Sequence, residues 1–132
     1  MNKVVVRYAD GRILNGFTND FTPAKDHFHV TLAEAPPGSK QVDVQTKDLK
    51  ALFFVKEFAG DPQHERSKDF DPSHPLGGRK IKVLFKDGET IVGTTQGYQP
   101  GRPGFFVVPA DPKSNNERCY IVSSATQEIA FI

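Results

Sequence analysis

Few side chains in this sequence have the type and spacing to do chemistry. His27 and His29 stand two apart, which places both on one face of a strand and allows chelation if a third ligand arrives. Asp61-Pro62-Gln63-His64 is echoed ten residues later by Asp71-Pro72-Ser73-His74. A polar strand face explains the first pair and a proline-rich linker the second, so no metal ligands are assigned. Ser123-Ser124 could supply a nucleophilic hydroxyl, but no elbow sequence surrounds it. Gly77-Gly78-Arg79-Lys80 resembles a phosphate loop superficially, yet it precedes a strand and lacks the required spacing, so a joining turn is the reading. One group remains. Gln99-Pro100-Gly101-Arg102-Pro103-Gly104 holds one arginine between two prolines, presenting Arg102 at low entropic cost to a carboxylate or phosphate. The expectation is therefore a protein without catalytic residues, metal or cofactor.

These groups are positioned by an internal repeat. At a constant offset of 77, Lys3 onward lies on Lys80 onward without a gap: Asp10-Gly11 falls on Asp87-Gly88, Gly16 on Gly93, Phe28 on Phe105 and Val55 on Ile132. Eleven of fifty-three pairs are identical, against roughly three for unrelated chains at about 6% per pair. Each copy reads as five short strands. Val4, Val6 and Tyr8 alternate toward a core, Asp-Gly makes a two-residue hairpin turn, and Gly16 marks a bend in the second strand. Further strands are expected near Phe28–Leu32, Val42–Val44 and Leu52–Val55, with a 3₁₀ turn at 47–49. The predicted fold is all-β: two tandem five-stranded SH3-like barrels at 1–55 and 80–132, joined by a linker at 56–79 that leans on a barrel through Phe58 and Phe70.

Differences between the copies carry the functional signal. Inward positions match: Val4, Val30, Val42, Leu52 and Phe54 correspond to Ile81, Val107, Cys119, Ile129 and Phe131, so the single cysteine is a core residue. Outward positions diverge. His29, Thr31, Asp43 and Gln45 of the first copy become Phe106, Val108, Tyr120 and Val122 in the second. If the third and fourth strands pair, these four form a contiguous apolar face of a kind that soluble proteins rarely leave wet. Either the first barrel or the linker covers it, or it is a homodimer or partner surface. With Arg102, it is the expected interaction surface.

Composition bounds the partners. The formal charge is +1, and Lys+Arg against Asp+Glu runs 7 to 6, 4 to 5 and 6 to 5 across first copy, linker and second copy, which provides no concentrated field for phosphate neutralisation. One cysteine excludes a stapled scaffold or thiolate cage. The opening MNKVVVRYADG is too short and too charged for a leader or spanning segment, so a cytoplasmic protein without membrane contact is expected.

The run of strand, Asp-Gly, glycine-bearing strand and third strand resembles the first motif of Sm-like and other SH3-like small barrels, seen twice. The chain is more closely similar to a bacterial family of uncharacterised domains, through Lys47–Lys56 and Phe105–Pro112. That resemblance covers nearly the whole chain and implies the fold but no activity. The base pocket of true Sm proteins, which takes an Asp and an Asn from the loop after the second strand, is not reproduced: the loop at 22–26 keeps at most Asp26, and the loop at 99–103 keeps neither. The paired arginines and Asp-Ser-Gly motif of cyclic-dinucleotide PilZ barrels are also missing. The expected function is a non-enzymatic interaction or regulatory module that binds a protein partner or itself. The alternative is an Sm-like RNA binder using Lys25, Arg102, Lys113 and Arg118.

Overall fold

The computed structural model describes residues 2–36, 38–58, 77–111 and 115–132. They form ten strands: β1 Asn2–Tyr8, β2 Ile13–Thr18, β3 His27–Leu32, β4 Val42–Gln45, β5 Leu49–Val55, β6 Arg79–Phe85, β7 Thr90–Thr95, β8 Gly104–Pro109, β9 Asn116–Val122 and β10 Thr126–Phe131. Short 3₁₀ turns at Thr46–Asp48 and Ser123–Ala125 precede β5 and β10. Among the described residues no helix is long and apolar enough to cross a membrane.

The duplication holds at the level of single pairings. Val4 faces Gly16 and Phe28 faces Val44, while Ile81 faces Gly93 and Phe105 faces Ile121, each pair displaced by 77. Phe28 and Phe105 are both buried, in matching core clusters. The bends are also shared. A Cβ on Gly16 would stand 2.4 Å from the Thr31 carbonyl oxygen, and one on Gly93 would approach the Val108 carbonyl oxygen more closely still, to 2.0 Å. Gly93→Ala should therefore cost about 2–3 kcal/mol in urea unfolding, because strand backbone must move to admit the methyl group.

The hairpin turn differs from expectation. Tyr8 N–H donates to the Arg12 carbonyl at 2.9 Å and Gly11 N–H to the Tyr8 carbonyl at 3.1 Å, enclosing three loop residues. Gly11 and Gly88 have φ near +100° and +93°, and among the described residues only glycines have positive φ. A type I turn closed by a left-handed glycine meets this pattern, whereas a two-residue I′ turn would require positive φ at Asp10 too.

The two halves are continuous with each other: their strands make one open antiparallel sheet in the order β10-β6-β7-β8-β9-β5-β1-β2-β3-β4. The seam is β5 against β9, with Leu52 opposite Tyr120 and Phe53 opposite Cys119. It forms because both strands are apolar on both faces. Leu49, Leu52 and Phe54 join the first core while Ala51, Phe53 and Val55 enter the second; reciprocally, Cys119 and Ile121 stay in the second while Tyr120 and Val122 enter the first. Every residue of β5 is buried. Phe131, expected in the core like Phe54, is instead 39% exposed, because β10 lies at the outer edge with no described strand beyond it.

An ion cluster ties the seam to the β6–β7 hairpin. Lys50, buried in β5, reaches Asp87 at 2.7 Å and also pairs with Glu89, with its ammonium 4.7 Å from the Phe85 ring centroid. Among the described residues the first hairpin has no such visitor: its Asp10 pairs with its own Arg12. Of the linker, Phe58 packs edge-on against Phe17 at 5.3 Å; Phe70 lies outside the described residues.

Candidate functional site: a cleft across the seam

The apolar face expected on the second copy is assembled as read from the sequence, then largely covered from within. β8 pairs with β9, Phe106 faces Tyr120, and their rings are 5.2 Å apart. Tyr120 is 1% and Val122 3% exposed, both against the core of the first half. Both side chains are thus largely covered from within the chain. Phe106 is half-buried at the border of that core, while Val108 remains 41% exposed.

Beside this contact a cleft of about 730 Å³ opens between the halves. Arg102, Phe106, Val108 and Tyr120, four of the five expected interaction residues, line it; Val122 does not. Its other wall comes from Thr22-Pro23-Ala24 in the β2–β3 loop of the first half. The volume is in the range of small-ligand sites.

The donors are held by identifiable contacts. Arg102 Nε donates to Gln99 Oε1 at 2.8 Å, and Ser123 Oγ donates to the Arg102 carbonyl at 3.0 Å, bracing the loop from the 3₁₀ turn. That brace is the observed role of Ser123. Arg118 lies over Phe54 and Phe106, with its guanidinium carbon 4.4 and 5.0 Å from the ring centroids, and it also lines the cleft. Such stacking holds a guanidinium flat and leaves its edge available for bidentate contact. Among the described residues, no carboxylate forms an ion pair with Arg102 or Arg118.

Tyr120 is the most constrained group. Its ring fits only because position 104 is glycine: a Cβ there would lie 2.4 Å from the ring carbon bearing the hydroxyl and 2.5 Å from the hydroxyl oxygen. The hydroxyl makes no hydrogen bond to any described residue, and burial raises its pKa above the ordinary 10.0, keeping it a proton donor at neutral pH.

Sequence reasoning missed three contributors. Phe21 packs edge-on to Phe28, Tyr120 and Phe106 at 5.0, 5.2 and 6.2 Å; its alignment with Tyr98, which stacks on Phe105 at 4.9 Å, was the available signal. Arg118 was considered only for RNA. Gly104 aligns with His27 and gave no signal, since its need arises from Tyr120 across the sheet.

The remaining chemical groups stay local. His29 Nδ1 is 2.7 Å from Asp20 and His27 Nδ1 2.9 Å from Asp26, whose hydrogen bond raises the His27 pKa. Among the described residues no group of three metal-ligating side chains gathers, and His64 and His74 lie outside them. Cys119 is buried, its Sγ 3.6 Å from the Val107 carbonyl. Arg79 of the glycine-bearing turn opens β6 and covers the Phe131 ring at 3.7 Å. Lys25 lies outside the cleft lining, and Lys113 is outside the described residues.

Comparison with protein-family models gives a match over residues 1–132 to a family of unknown function, DUF6982. No curated protein and no solved structure matches the chain.

Proposed function

The chain belongs to the DUF6982 family, and we propose that it is a non-enzymatic interaction module of the bacterial cytoplasm, built from two Sm-like small barrels, 1–55 and 80–132, joined edge to edge. The barrel reading is supported by the strand order: 5-1-2-3-4 in the first half recurs as 10-6-7-8-9 in the second, with matching glycine bends and 3₁₀ turns. The cleft across the seam receives a segment of a protein partner. One observation carries this: Phe106, Val108 and Tyr120, where the second copy departs from the first, converge on a single concave site with Arg102 of the proline-flanked loop. RNA is disfavoured as the ligand, because no segment of the sequence concentrates positive charge.

A photo-crosslinking side chain at Val108, introduced into the full chain in its host cells, should trap one discrete protein adduct, and Arg102→Glu should abolish it. The same probe at Ile13, which is 53% exposed and away from the cleft, supplies the background. Equal adduct patterns at both positions would refute the partner reading. Steep, salt-sensitive anisotropy changes with random RNA would put RNA in the partner's place.

A further inference from the structure

We infer that the cleft recognises a carboxylate carried next to an apolar side chain, so that the partner segment it takes is an acidic, aromatic or aliphatic peptide. The inference rests on the partner reading above and adds its chemistry. Two independent observations point to an anion. Arg102 and Arg118 line the cleft, and no described acid pairs with either. Tyr120, 99% removed from solvent, brings a hydroxyl to the same cleft without a hydrogen-bond partner among the described residues. The hydroxyl oxygen is not fully enclosed, since Thr46 Oγ1 alone is a fully buried, unpaired side-chain oxygen or nitrogen among the described residues; it reaches the cleft and can donate to an acceptor there.

The neutral part of the ligand follows from the walls. Phe106 and Val108 on one side and Pro23 and Ala24 on the other are apolar, and Arg118 is already stacked over Phe106. An apolar side chain fits between these walls while the carboxylate beside it meets the guanidinium edges. A carboxylate suits the donor set better than a nucleic acid backbone does: the donors are two cations and one hydroxyl in a single concavity, with no track of cations leading away in the sequence.

A peptide offers this carboxylate either at its C-terminus or on a glutamate side chain, and two probes separate them. N-acetylphenylalanine supplies the terminal carboxylate, N-acetyl-glutamyl-phenylalaninamide the side-chain one, and N-acetylphenylalaninamide neither. Titrated into the ¹⁵N-labelled full chain, at least one acid should shift the Arg102 and Arg118 Nε–H signals and bind at least tenfold more tightly than the neutral amide. Whichever acid is tighter identifies the source. Arg118→Gln and Arg102→Gln should each weaken it about tenfold, and Tyr120→Phe, which retains the packed ring, about fivefold with an unchanged spectrum elsewhere. Equal binding of acid and amide, absence of shifts with both acids, or indifference of binding to all three substitutions would overturn the carboxylate. A Val108 adduct persisting alongside such a result would leave the partner reading standing, so the two failures are distinguishable.

Discussion

Tyr120→Asp should lower the unfolding free energy by about 4–5 kcal/mol, close to the whole stability of an ordinary domain. Aspartate is what the first half carries at the matching position, Asp43, where it is exposed on an outer strand. At 120 the same group would be a charge in the core of the other half, without the ring that packs on Phe21 and Phe106. Tyr120→Phe, by contrast, should stay within about 1 kcal/mol of the parent, since the hydroxyl contributes no bond to the described structure. Because neighbouring residues of β9 feed opposite cores, amide signals from both halves should vanish at one urea concentration in the parent. Separate transitions would show that the seam does not couple them.

The second large effect concerns Lys50. The paired substitution Asp87→Asn with Glu89→Gln should destabilise by about 3 kcal/mol, because the ammonium, 7% exposed, loses its counter-charges while remaining buried. Lys50→Met should cost clearly less: it removes the buried charge and keeps the aliphatic stem, and the acids left behind are more exposed. The cluster also gives a pH dependence. The Lys50 hydrogen bond, followed by the Glu89 N–H, holds the Asp87 carboxyl below its ordinary 3.8. A depressed folded pKa means that Asp87 stabilises fully above about pH 4 and loses that contribution as pH falls from 3.8 through the lower folded value. Acid unfolding of the parent in that interval should be shallower in Asp87→Asn; equal slopes would remove Asp87 from the account.

Both effects depend on the seam, which was the part of the fold least visible beforehand. Within each half the alternation of Val4, Val6 and Tyr8, the Asp-Gly turn and the bend at Gly16 have local causes, and the repeat checks each against a second example. The pairing of β5 with β9 has no local cause. Its trace in the sequence is the unbroken apolar run Ala51-Leu52-Phe53-Phe54-Val55, since a strand apolar on both faces must be covered on both. The outward apolar positions of β9 are the complementary trace. The cleft was half legible for the same reason. Phe106, Val108 and Tyr120 stand out by comparison of the copies and Arg102 by its proline-flanked loop, whereas Gly104 enters once β8 pairs with β9, and Phe21 and the opposing loop only once the halves adjoin.

The outermost strands, β4 and β10, are the repeat counterparts of the two that meet in the middle. Where the inner pair offers Tyr120, Val122 and Ala51, the outer pair offers Asp43, Gln45 and Glu128. A like molecule approaching end-on would have to submerge carboxylates to continue the pattern, a penalty that halts growth after two modules and guards exposed strand borders against fibre formation.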